Sequence, residues 1–143
     1  MVSINVFISH SWAYSDHYET LAAWLFKSNW TVSKGQIPLN FVDWSVPKDD
    51  PIHDAPNEVA LGMAINSLIV NSHVVVIPTG MYANFSDWIG KEISGARSNR
   101  KPILGVNLWG SQRTSSIVQQ NAAEVVGWQK QSVAGAIWRL AQV

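Results

Sequence analysis

Four consecutive β-branched residues, Val74, Val75, Val76 and Ile77, set the tightest limit on how this chain folds. A run with no polar alternation suits a strand covered on both faces, the habit of parallel sheets flanked by helices. Pro78, Thr79 and Gly80 stop it. Ser86 then stands where an N-cap belongs, for a helix starting at Asp87, whose charge suits the positive end of the dipole. With Trp88 at zero and about 100° per residue, Glu92 falls at about 40°, Ala96 at about 80°, Ile89 at about 100° and Ile93 at about 140°. Glu92 thus lies inside the apolar arc. A carboxylate there must be paired, protonated or facing a cavity. A structural glutamate that snorkels to the rim, or pairs with Lys91 or Arg97, fits the same spacing.

The rest of the chain repeats this strand–loop–helix unit. Residues 5–9 (NVFIS) form a short strand, and 15–28 a helix with Tyr18, Leu21, Ala22 and Leu25 on one face. Gly35 and Pro38 punctuate the approach to a second strand around 39–42. The Pro- and Asp-rich stretch 43–56 excludes a central strand or helix. A helix over 57–70 turns Leu61, Ile65, Leu68 and Ile69 inward. After the central unit come a strand at 102–106, a polar segment at 107–121 without clear period, and a short strand at 125–128. Ser132 caps a last helix carrying Val133, Ile137 and Leu140.

This alternation predicts one α/β domain over 1–143, with about five parallel strands and helices on both faces. The common order for such a doubly wound sheet is 2-1-3-4-5, with ligands beyond the carboxyl ends of strands one and three, where the winding reverses. Those ends are residues 9–12 and 78–84, with the loop from Asp43 beside them. Candidate substrate-binding residues are therefore Ser9, His10, Ser11 and Trp12, then Asp43 and Trp44, then Thr79, Met81 and Tyr82, with Trp88 on the next helix. Hydroxyl and backbone donors in the first loop can meet anionic oxygens of a ligand without a Gly-rich motif.

Composition removes several classes of function. Lysine plus arginine equals aspartate plus glutamate, ten of each, with no basic run, which argues against nucleic acid or an anionic membrane as partner. With no Cys, there is no disulfide, thiolate nucleophile or Cys-based zinc site. The start lacks the basic and apolar regions of a signal peptide, and no apolar run nears the roughly 20 residues of a membrane span, so a cytoplasmic protein is expected.

Within the crevice, residue types alone leave choices open. Ser9, His10 and Ser11 with Asp16 or Asp43 have the makings of a hydrolase triad, but no G-x-S-x-G elbow is present. His10, His17, His53 and His73 lack metal-ligand spacing, so no metal is expected. Asp43, Asp49, Asp50 and Asp54 mimic a phosphoacceptor pocket, but Ser9-His10 and Pro78 stand where it would need acids. Neither a P-loop nor G-x-G-x-x-G occurs. Of eight Trp residues, Trp24 and Trp138 suit packing on helices, while Trp12, Trp44, Trp88 and Trp109 fall near the crevice, where they can stack a flat ring or simply pack.

The segments VFISHSWAYSDHYETL, FVDWSVPKDDPIH, SHVVVIPTGMYANFSDWIGKEISGA, KPILGVNLWG and VVGWQKQSV, in this order, resemble the TIR-like family that includes the Thoeris antiphage TIR proteins. VFISHS is similar to the first-strand signature of TIR domains. Ser86, Trp88 and Glu92 match the TIR pattern of Ser, Trp two residues later and Glu four further on. The resemblance implies a flavodoxin-like TIR fold, NAD as substrate rather than cofactor, and Glu92 as the residue essential for its cleavage. For the Thoeris branch it implies a cyclic ADP-ribose-type signal made from NAD and sensed by a separate effector protein. Self-association or a phage-derived trigger would complete the site. The loop SVPKDDPIH departs from animal adaptor TIRs, so adaptor-style contacts do not carry over. The alternative from another class is a catalytically silent interaction module that works by assembly.

Overall fold

A strand with no polar face belongs in the middle of a sheet, and the 74–78 segment takes that place. The computed structural model describes residues 2–9, 15–32, 37–45, 58–78, 86–107 and 116–141. These form β1 (Val2–Ile8), α1 (Ser15–Phe26), β2 (Trp30–Val32), β3 (Ile37–Asp43), α2 (Glu58–Ile69), β4 (Val74–Pro78), α3 (Ser86–Ser98), β5 (Ile103–Val106), α4 (Ser116–Asn121), β6 (Glu124–Val126) and α5 (Lys130–Ala141). The sheet order is β2-β3-β1-β4-β5-β6. From β3 to β6 every pair is parallel, which is the expected 2-1-3-4-5 winding of a flavodoxin-like sheet. All five residues of β4 are buried.

The pleat sorts the strand residues into two cores. Ile4, Val6, Ile8, Val74, Val76, Leu104 and Val106 meet Leu21 and Leu25 of α1 and Val133 and Ile137 of α5. Phe7, Val75, Ile77 and Ile103 meet Ile65 and Ile69 of α2, Ile89 and Ile93 of α3, and Val118 of α4. A period of two along each strand thus assigns each side chain its helical layer.

Several details depart from the sequence reading, among them the bounds of β1, which starts at Val2, and of β6, which ends at Val126. The edge strand β2, antiparallel to β3, was not anticipated, because three residues are too few to display alternation. Pro38 lies within β3, just before its ladder with β1 begins at Leu39, so its missing N–H breaks no bond there. Helix α1 ends at Phe26 rather than 28, where Trp30 Nε1 donates to Trp24 O at 3.0 Å. Helix α5 starts at Lys130, before Ser132: Val133 N donates to Gln129 O at 3.0 Å, so Gln129 holds the N-cap position. The polar segment 107–121 ends in α4, anchored by the buried side chain of Val118.

Candidate functional site

The winding reverses between β1 and β4, so the strand ends there define the crevice. Ser9 continues the ladder past β1, its N–H donating to Val76 O at 2.8 Å. By pleat it shares the face of Phe7, the layer of α2 and α3. Ser9 is 1% exposed, and its Oγ finds no hydrogen-bond partner among the described residues. A buried hydroxyl in that state is costly unless something else meets it.

Beside it, the end of β3 is tied down in three steps. Trp44 N donates to Val6 O at 2.9 Å. Ser45 N donates to Asp43 Oδ1 at 2.9 Å, an Asx-type turn. The Ser45 hydroxyl in turn accepts the Ile8 N–H at 2.8 Å, so a side chain extends the β1–β3 ladder after β3 has ended. The other oxygen of Asp43 accepts a short hydrogen bond from the Tyr18 hydroxyl of α1. Burial, then that bond and the charges of Asp43 and Glu19, push the Tyr18 phenol well above its ordinary pKa. Asp43 therefore spends both carboxylate oxygens on its own scaffold.

Glu92 is 0% exposed on the inner face of α3, with Ile89, Ile93 and Ala96 buried around it. It does not reach the rim. Arg97, one of the two cations considered as its partner, donates from Nη1 to Asn121 Oδ1 on α4 at 3.0 Å. That interaction borders a cleft of about 380 Å³ on the other flank of α3, lined by Gly90, Ile93 and Ser94 among others, and Glu92 is not in its wall.

Structure thus brings Ser9, Asp43 and Trp44 to adjacent strand ends, with Glu92 on the helical layer that Ser9 faces. His10, Ser11, Trp12, Thr79, Met81 and Tyr82, with the loop beyond Ser45 and Trp109, lie outside the described residues, as does the side chain of Trp88. Tyr18 and Ser45 were missed as site-building residues. The Asp-x-Ser step directly after a strand was the available signal for Ser45. Tyr18 was hidden in the apolar stripe of α1. Trp24 and Trp138 pack against the α1/α5 core, Trp24 with its ring 5.2 Å from that of Trp128. Among the described residues no three His, Asp or Glu side chains gather as metal ligands, and no helix is long and apolar enough to cross a membrane.

A family model described as Thoeris protein ThsB, TIR-like domain, matches residues 7–113. No curated protein matches the chain.

Proposed function

The chain belongs to the TIR-like domain family of the Thoeris protein ThsB, and we propose that it cleaves NAD at the nicotinamide–ribose bond with Glu92 as the catalytic carboxylate. A role in Thoeris antiphage defence follows from that family. The observation that carries the enzymatic reading is a wholly buried carboxylate on α3, in the layer that faces the sheet's switch point. A carboxylate wholly removed from water is expensive to keep charged, and that cost is usual where a group is held ready for chemistry.

In this reading the glycosidic C–N bond breaks and its electron pair stays with nicotinamide, neutralising the pyridinium. The anomeric carbon becomes oxocarbenium-like, as in glycoside cleavage. Glu92 stabilises the developing positive charge and holds ribose hydroxyls. A nucleophile within the same molecule then closes a cyclic ADP-ribose-type product, while water would give linear ADP-ribose. A dry, apolar setting favours internal capture. Ser9 and the loop after it, with Trp44 and the residues after β4, bind the dinucleotide. Self-association or a phage-derived trigger raises activity in the cytoplasm, and the product passes to a separate effector.

The test pairs product analysis by mass spectrometry with thermal melting, for wild type and Glu92→Gln. Loss of a positioned charge in the transition state should lower nicotinamide release at least about a hundredfold, with melting unchanged or slightly raised. A variant that melts early yet turns over NAD at the wild-type rate would leave Glu92 a structural residue. No nicotinamide release by wild type across a hundredfold range of protein concentration would favour a silent assembly module.

A further inference from the structure

Gly95 lies in the middle of α3, where glycine weakens a helix relative to alanine. Its backbone is helical, so its conformation does not call for glycine. The space does. A Cβ built there would stand 3.0 Å from Ile69 Cδ1, 3.7 Å from Asn66 Oδ1 and 4.0 Å from Asn66 Cα. Ile69 is fully buried in the core with Phe7, Ile65 and Val75, so its terminal methyl has little room to retreat.

A polar clasp closes the same seam one turn later. Asn99 Nδ2 donates to Asn66 Oδ1 at 2.7 Å and to Gly95 O at 2.8 Å, tying α2 to α3. Towards the start of the helices, a Cβ on Gly62 would stand 4.0 Å from Lys91 Cδ. The contacts 62 to 91, 66 to 95 and 66 to 99 advance in step, so the two helices run parallel along one seam. On the α3 wheel Gly95 lies about 60° from Glu92, and Glu92 falls between the seam and the sheet-facing arc of Ala96, Ile89 and Ile93. Any rotation of α3 about its axis at the seam moves the Glu92 carboxylate directly.

We infer that the α2–α3 seam, closed by the missing side chain of Gly95 and the Asn66–Asn99 clasp, sets the rotation of α3 and thereby positions Glu92. Gly95, Asn66 and Asn99 are positioning residues for the reaction, and this rests on the NAD-cleavage reading above. A methyl at Gly95 demands a shift of a few tenths of an ångström. Since a misplacement of about 1 Å can cost about a hundredfold, a loss of about tenfold in kcat follows for the smaller shift.

The experiment uses the full chain. Gly95→Ala should lower kcat for nicotinamide release about tenfold, with KM for NAD within about twofold. Melting should fall, because crowding Ile69 in a packed core costs more than the better helix propensity of alanine returns. Ile69→Val deletes the one methyl that the new Cβ meets, so the Gly95→Ala/Ile69→Val double variant should recover kcat. Asn99→Ala opens the clasp without adding a clash and should also lower kcat, which carries the test if Gly95→Ala fails to fold. Unchanged kcat in both Gly95→Ala and Asn99→Ala, or no recovery in the double variant, overturns the inference. A second readout is independent of turnover. The chain contains no cysteine, so in a Glu92→Cys background a small thiol reagent reports on that position alone. Gly95→Ala should change the labelling rate and Ile69→Val should restore it. If wild type releases no nicotinamide but the labelling follows this pattern, the enzymatic reading falls and the seam's control of position 92 stands. If labelling also fails to respond, both fall.

Discussion

Ser9→Ala removes a single oxygen from a site that is 1% exposed, an oxygen without a hydrogen-bond partner among the described residues. An unsatisfied buried hydroxyl costs about 1–3 kcal/mol of desolvation. The void left by one oxygen, roughly 10 Å³, costs about 0.2 kcal/mol at the usual cavity coefficient. The balance favours the variant by about 1 kcal/mol at the low end of that range. For a chain of 143 residues the unfolding entropy is about 0.3 kcal/mol per kelvin, so Tm without ligand should rise by about 3 °C. The same hydroxyl, if its partner is the substrate, should be missed on binding: KM for NAD should rise about fivefold, the equivalent of about 1 kcal/mol. Differential scanning calorimetry of the ligand-free proteins and initial rates of nicotinamide release read the two effects separately. A variant that melts several degrees lower would show that Ser9 Oγ is satisfied inside the folded chain, and the argument from its desolvation would fail. A higher Tm with KM unchanged would confine the hydroxyl's cost to folding and remove Ser9 from the substrate site.

Two further outcomes follow from the ties beneath the crevice. Ser45→Ala takes away the acceptor of the Ile8 N–H, so urea unfolding should show a loss of about 1–3 kcal/mol with an unchanged slope. A loss below about 0.5 kcal/mol, the ordinary range of surface changes, would mean another acceptor steps in. For Tyr18, burial and the Asp43 bond raise the phenol above its ordinary value of 10.0, so above that pH the native state keeps a proton that the unfolded chain gives up. The resulting stability is complete below about pH 10 and shrinks as pH climbs further, because the unfolded state then binds fewer protons. Tyr18→Phe should show a shallower decline in denaturation midpoint between pH 9.5 and 11.5 than wild type, and parallel declines would contradict the assigned shift.

Features with a short period were legible from the chain alone. The β-branched run at 74–77 announced a central parallel strand, and its residues are buried to the last side chain. The strand order came from the alternation of elements together with the order most common among five-stranded doubly wound sheets. The placement of Glu92 on a buried face came from the 3.6-residue repeat, with Trp88, Ile89, Ile93 and Ala96 as reference marks. Elements too short to express a period were not legible, which is why β2 and α4 emerged only in three dimensions. The ties that shape the crevice belong to the same class. Ser45 reaches Ile8 across 37 positions of sequence, and Asn99 reaches Asn66 across 33. Gly95 reads as a flaw in a helix until Ile69 is seen against it. Periodicity reports what a residue's neighbours along the chain require of it, and so it determined the layers and the faces. Which side chain ends a ladder, and how closely two helices approach, depends on partners brought together by the fold, and tertiary structure alone decided those.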